Sequence, residues 1–351
     1  MPAQRLPDTV QTLYAELLDL TQRAEAERAA HDLPPGTLVS KTIKGTRYWY
    51  LQLSHGAGKH QRYLGRETPA LRDWMGRVAE ARSELAEDEP VRARLCAMLA
   101  RGGATRASRP VLQVLGLLAE IGVFRRGGVL VGTHAFQVYG NVLGYRFEDQ
   151  ALRTQDIDIG QDLEIAVALR DEPPLEVEQR LLGAGLGFLP VPGLDPRLPA
   201  TSFKVRGREL RVDFLAPAHS LHETSPVRIP GLGVSAQPLP FLDYLIAETI
   251  PAVVVGGSGV LIQAPTPARF AFHKLWTAHQ RPAALAVRAR KDRRQAEALL
   301  QVLADDRPGD LQLAWEALQG RRKPRRVVEG ELARLDEEMK ERLRPAGLPV
   351  R

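Results

Sequence analysis

The sequence has a single cysteine, Cys96, among its 351 residues, so it can build neither a disulfide framework nor a zinc site made of cysteines. Lysine is nearly as scarce, with eight Lys beside 40 Arg. The guanidinium fork suits phosphate better than the point charge of an ammonium group. No sign of charge dominates strongly: 48 basic and 42 acidic side chains leave +6. That balance permits an anionic partner without requiring one. Long apolar runs are missing too. The longest, PAVVVGGSGVLI at 251–262, is too short and too broken by Gly to span a bilayer. Asp8 and Glu16 stand where a signal peptide needs an apolar block. These absences predict a cytoplasmic protein with no membrane contact. What is present, 44% hydrophobic and 26% charged residues, is the material of a globular chain with a sizeable core. The length suggests two or three domains.

The pattern along the chain is α+β. An apolar stripe through Val10, Leu13, Tyr14, Leu17 and Leu18 predicts a helix over about 8–30, which Pro34, Pro35 and Gly36 end. The period then shortens over 37–43, 47–53 and 61–65, a three-stranded meander rich in β-branched and aromatic residues. Helix returns from Pro69 to about Gly102. RGGATRASRP at 101–110 is small, basic and polar, and reads as a linker. Beyond it come a helix over 111–121, a buried strand at 128–131 and a helix from His134. A strand at 156–159, a helix over 173–184 and strands near 201–206 and 209–215 follow, predicting a mixed sheet with flanking helices. Pro-rich stretches at 190–200 and 226–240 read as loops. Helices are expected over 267–280, 285–304, 309–319 and 327–344, with the run Arg321–Arg326 as a basic turn. The expected division is an N-terminal helix and meander module (1–102), a central domain (110–265) and a helical C-terminal region (266–351).

The chemistry concentrates in three places: Val131-Gly132-Thr133-His134, Gln155-Asp156-Ile157-Asp158-Ile159 and Arg211-Val212-Asp213-Phe214. Residues two apart on a strand face the same way, so Asp156 and Asp158 leave one face while Ile157 and Ile159 anchor the other. Asp213 stands between two apolar residues in another strand. If the strands pair, three carboxylates converge, and each disfavours ionisation of the next. A divalent cation resolves that conflict, and hard oxygen ligands select Mg²⁺ or Mn²⁺. Two such ions can activate a hydroxyl and steady a leaving oxygen. A strand–Gly–Thr–helix turn cradles phosphate on free helix amides, because Gly lets the backbone come close to an anion.

In these residues the chain resembles the polymerase-beta type nucleotidyltransferases. Their pattern is an apolar strand, Gly followed by a small residue, a helix, an acid–apolar–acid strand and a later single acid. Gly132, Thr133, Asp156, Asp158 and Asp213 match it over roughly residues 115–305. The interval from Gly132 to Asp156 is longer than in compact members, and in this the chain resembles bacterial nucleotidyltransferase-fold proteins related to abortive-infection toxins. The resemblance implies an NTP substrate, two Mg²⁺ or Mn²⁺ ions held by Asp156, Asp158 and Asp213, and transfer of a nucleoside monophosphate to a hydroxyl. That hydroxyl belongs to an RNA or tRNA end or to a protein; in a toxin-like member, an antitoxin would be a partner. A catalytically weak nucleic-acid-binding or regulatory module stays open beside it. The resemblance further implies that Lys274 meets the triphosphate and that Lys291 and Asp292 open the next helix, the Asp orienting basic groups.

The meander offers a second surface. Lys41, Lys44, Arg47 and Arg62 interleave with Tyr48 and Tyr50, a composition that can lie against phosphates and stack on bases. The plain alternative is that the tyrosines pack against neighbouring helices. His273 and His279 are expected on an ordinary helix surface.

Overall fold

The computed structural model describes residues 3–31, 33, 36–55, 58–147, 155–163, 173–193, 195, 197–218, 220 and 222–350. The breaker Pro34-Pro35 and residues 56–57 of the 55–58 gap lie outside the described residues, and the side chains of Lys59, His60 and Arg62 outside the described side chains. The architecture is α+β.

Two long helices, α1 (Asp8–Ala30) and α2 (Pro69–Arg101), pack along each other and carry the meander β2 (Thr37–Ile43), β3 (Thr46–His55) and β4 (Gly58–Arg66) between them in sequence; β1 is the two-residue strand Gln4–Arg5. Helix α2 begins at the Thr68 cap, whose side chain accepts from Leu71 N–H, with Pro69 in the first turn, where its missing N–H costs nothing. Near the α2 C-terminus, Leu95, Cys96 and Leu99 join Val10, Tyr14 and Leu17 of α1 over Val253 and Val255. Tyr14 fixes this contact: its hydroxyl donates to Val253 O at 3.2 Å and accepts from Val253 N–H at 3.0 Å.

After α3 (Arg109–Ile121), a strand–helix unit follows: β5 (Val129–Val131) runs straight into α4 (Gly132–Leu143), which ends at the left-handed Gly144 before β6 (Tyr145–Arg146). Then come β7 (Asp156–Gly160), α5 (Val177–Gly183), β8 (Phe188–Pro190), β9 (Ser202–Val205), β10 (Arg211–Pro217), β11 (Val227–Ile229) and β12 (Val234–Leu239). The central sheet has the order β11-β12-β10-β7-β5, with β9 added beside the first half of β10 and β8 beside β9. Strand β10 runs parallel to β7 and β12; β5 runs antiparallel to β7. Helix α6 (Leu242–Ile246) and the hairpin β13 (Thr249–Val254) and β14 (Val260–Pro265) follow, then α7 (Pro267–Gln280), α8 (Ala286–Asp306), α9 (Pro308–Glu316), α10 (Arg322–Leu332) and α11 (Glu337–Leu343). One apolar core runs from Val111 to Val350 and joins the sheet to these helices, with Phe136 and Tyr139 of α4 packed on Phe270 of α7. Among the described residues no helix is long and apolar enough to cross a membrane.

Four expectations need correction. The Pro-rich 226–240 stretch forms β11 and β12. Pro238 is tolerated because β11 pairs only with 234–236, leaving Pro238 a neighbour on the β10 side alone. The run Arg321–Arg326 is the opening of α10, not a turn; Pro324 lies in its first turn, where no N–H is required. The helix expected over 327–344 is two helices, and the second starts at Asp336, whose carboxylate caps Met339 N–H at 2.8 Å. The helix expected from 173 begins at Val177.

Candidate active site

The site grows out of β-ladder register. On β7, Ile157 and Ile159 are fully buried and the two Asp face the other way. On β10, Val212 and Phe214 are fully buried with Asp213 between them. Parallel pairing sets Val212 beside Ile157 and Asp213 directly beside Asp158. Ser202 of β9 pairs with Asp213 from the other side, and Val131 of β5 pairs with Asp158. One row thus reads Ser202, Asp213, Asp158, Val131. The neighbouring row on the same face reads Lys204, Arg211, Asp156.

Gly132 follows Val131 at φ +68°, and a Cβ there would overlap Asp158 Oδ2. Only a residue without a side chain fits this close approach. Thr133 is 8% exposed at the start of α4, next to that turn.

The carboxylates repel as expected. Burial, and then the charge of Asp213, pushes the pKa of Asp158 up to about 7. Asp213 is also held above the usual carboxylate range by burial, although the Ser202 hydroxyl donates to its Oδ1 and Arg211 pairs with its Oδ2 at 2.9 Å. Arg211 Nε stands 3.5 Å from Asp156 Oδ1 as well. The guanidinium therefore lies between two of the three acids. Among the described residues, no three acidic, His or Cys side chains are gathered as an ion-holding group. Facing outward two residues before Asp213, Arg211 falls on the same face and meets the acids first.

Opposite the acids, α7 and α8 supply cations. Lys274 Nζ donates to Asp292 Oδ1 at 2.8 Å, and Arg281 Nε donates to Asp292 Oδ2 at 2.5 Å; Lys274 and Asp292 are both buried. Burial raises Asp292, but Lys274 and Arg281 outweigh it and hold the carboxyl below its usual range. Burial, reinforced by Lys274, lowers the pKa of Lys291. A cleft of about 760 Å³ brings together all eight residues singled out around it: Gly132, Thr133, Asp156, Asp158, Asp213, Lys274, Lys291 and Asp292. Sequence reasoning missed Lys204, Arg211, Arg281 and Arg288, which line the same cleft. The alternation Lys204-Val205 and Arg211-Val212-Asp213 carries a signal for two of them; Arg281 and Arg288 sit at a helix break that periodicity does not resolve.

With this geometry in place, comparison with known sequences adds a family. The nucleotidyltransferase profile matches residues 109–319, well over half of the chain. The chain belongs to this nucleotidyltransferase family. No curated protein and no solved structure matches it. The matched span contains every residue of the cleft named above, from Gly132 to Asp292.

Among the described side chains, those of the meander do not join that cleft. Tyr63 packs against both Tyr48 and Tyr50, at ring-centre distances of 6.3 and 5.4 Å, with Lys41 Nζ 4.9 Å above the Tyr50 ring. Arg47 pairs with Glu67 at 3.5 Å, and Lys44 is exposed at the β2–β3 turn. His279 is on the surface as expected. His273 is not: it is 6% exposed, stacked on Phe241, and burial pushes its pKa down to about 3.

Proposed function

We propose that the chain is a metal-dependent nucleotidyltransferase of the polymerase-beta type, moving a nucleoside monophosphate from an NTP to a hydroxyl acceptor with release of pyrophosphate. The observation that carries this is the register of β10 on β7, which sets Asp213 beside Asp158 next to the Gly132 turn and across from Lys274 and Lys291. The donor set suits a hard divalent cation, and burial holds the pKa of both Asp158 and Asp213 above the usual carboxylate range, so the crowded charges are costly there. Asp156, Asp158 and Asp213 are the residues that would hold Mg²⁺ or Mn²⁺. When bound, such ions neutralise the carboxylates and polarise phosphate oxygens.

The rest is the work of the chain's own residues. The amide of Thr133 and the approach allowed by Gly132 receive phosphate oxygens at the start of α4. Lys274 and Lys291 attract the β- and γ-phosphates from the opposite wall, with Asp292 holding Lys274 in place. The acceptor hydroxyl attacks the α-phosphorus in line: the new O–P bond forms as the bond to the β-phosphate oxygen breaks. Its proton passes to the Asp213 carboxylate, which releases Arg211 as it does so. Region 110–265 carries the acids and 266–351 the cations, while 1–102 bears the meander. In the longer interval before Asp156 the chain sides with the abortive-infection branch, where an antitoxin would be its partner.

Incubating the protein with each labelled NTP, Mg²⁺ and either total RNA or cell lysate tests the reading. Label should enter a macromolecule with wild type and not with Asp158→Asn; transfer by that variant at the wild-type rate overturns it. The position of Arg211 favours a second reading, a weak enzyme whose acids are held by their own cation. Arg211→Gln decides between them, because transfer should then need less Mg²⁺ if Arg211 competes with it, and should stay absent if the fold is only regulatory.

A further inference from the structure

A second cavity, of about 840 Å³, adjoins the catalytic cleft, and Gln155 and Glu209 line both. Three elements wall it. The basic segment after α2 contributes Arg106, β6 contributes Arg146, and the tip of the β9–β10 hairpin contributes Arg208. All three arginines are exposed, and none pairs with a carboxylate among the described residues. Among the described residues, Glu209 is the only acid in the lining. Ala104, Val111 and Leu210 give it an apolar floor. His134 lies at the inner wall, with Gln137 Oε1 2.9 Å from its Nδ1, and burial lowers its pKa.

Building on the transferase reading above, we propose that this cavity is the acceptor groove and that it takes the 3′ end of a single-stranded polynucleotide. Three guanidinium forks on separate walls, with one acid among them, match a ligand that repeats negative charge along its length. A polycationic small acceptor would meet the same three charges as repulsion. A protein hydroxyl on an uncharged loop would leave all three without a partner. Continuity at Gln155 and Glu209 gives the strand a route from the arginines to Asp213, so a terminal hydroxyl reaches the acids while the preceding phosphates lie on the arginines. This also gives the 101–110 segment, read from sequence only as a linker, a place in recognition.

The test measures binding apart from chemistry. A short 5′-fluorescein oligonucleotide, as RNA and as DNA of the same sequence, is titrated with full-length protein by anisotropy across a salt series. For single strands, log affinity falls with log salt by about 0.7 per phosphate neutralised. Arg106→Glu/Arg146→Glu/Arg208→Glu should therefore weaken binding roughly tenfold or more and flatten the slope by about 2, while single Arg→Gln changes each flatten it by about 0.7. All three side chains are on the surface, so the variants should melt like wild type. Equal binding of both strands assigns recognition to the phosphodiester; preference for RNA adds the ribose to it. Unchanged affinity and slope in the triple variant overturn the proposal, as does loss of binding on changing Lys41 and Tyr50 instead. Asp158→Asn separates the two ideas, since it should bind the strand as wild type does. If strands bind through the arginines but never receive label, the transferase reading fails and the groove stands. If label enters protein equally in wild type and triple variant, the groove fails and the transferase reading stands.

Discussion

Replacing Asp158 by Asn removes one charge from the most crowded point of the sheet and keeps the shape of the side chain. Its pKa, pushed from 3.8 to about 7 by burial and by Asp213, makes a claim about stability. Between those two values the folded chain binds the Asp158 proton and the unfolded chain does not. Stability contributed by this proton is therefore full at low pH and is lost as pH rises through about 7. Three pKa units at about 1.4 kcal/mol each set a ceiling of about 4 kcal/mol. The carboxyl opens on the cleft, where water screens it, which brings the expectation down to roughly 1–3 kcal/mol.

Asn is neutral at every pH, so the variant should be the more stable protein at about pH 8 and nearly equal to wild type at about pH 4. In a chain of 351 residues that amounts to a Tm higher by roughly 1–4 °C at the alkaline end. Thermal melts in chelator, followed by circular dichroism across pH, measure it directly. Added Mg²⁺ should then raise the wild-type Tm and leave the variant's almost unchanged, closing the gap. A variant less stable than wild type at alkaline pH, or a difference independent of pH, would refute the electrostatic account of the site.

Lys274→Met leaves buried Asp292 with Arg281 alone, and should cost roughly 2–4 kcal/mol in urea unfolding, somewhat less than a fully orphaned charge. Adding Asp292→Asn should recover most of that loss, and additive costs would show the pair is not coupled. Gly132→Ala puts a methyl group against the Asp158 carboxylate at a positive φ, and should lower stability by about 1–3 kcal/mol while abolishing transfer; a wild-type melting curve would contradict it. His273, with its pKa pushed down to about 3, stays neutral while the unfolded chain takes up a proton below about 6.5, so it costs stability as pH falls through that window. His273→Phe keeps the stack on Phe241 and should flatten the acid limb of the melting profile; an unaltered limb would count against burial as its cause.

The parts of this molecule that the sequence made legible are those where local pattern and tertiary role agree. Asp-Ile-Asp and Val-Asp-Phe alternate because one face is core and the other lines the cleft, and the Gly-Thr turn needs a glycine for its positive φ as well as for its approach to Asp158. The meander, the two long helices and the α+β class follow from period alone. Other features are set by partners distant in sequence. Pro238 is a strand residue only because β11 stops short of it, and the hairpin at 249–265 reads in sequence as a mere apolar stretch. His273 has no neighbour in sequence that foretells Phe241 stacking on it. Arg211 is the instructive miss. Its position two before Asp213 is visible in the sequence, but its contact with Asp156 exists only because β10 pairs with β7 in one particular register.

That register also explains why acids can be crowded here without melting the sheet. A slip of one residue would set Val212 or Phe214 beside Asp158 on the cleft face and turn Asp213 into the core, against Phe203 and Ile157. Burying an unpaired carboxylate there costs several kcal/mol. In the observed register, Ile157, Ile159, Val212 and Phe214 are fully buried instead. At about 1.5–3 kcal/mol for each large side chain, these four contribute roughly 6–12 kcal/mol. This exceeds the ceiling of about 4 kcal/mol that the raised pKa of Asp158 represents. The apolar side of the two strands therefore fixes where the acids stand, whether or not anything is bound to them. Repulsion among the carboxylates cannot relax by sliding the ladder. It is relieved only by a proton, by Arg211 or by a cation that enters the cleft, and competition among these three is what the pH and Mg²⁺ dependence of Asp158→Asn and Arg211→Gln will resolve.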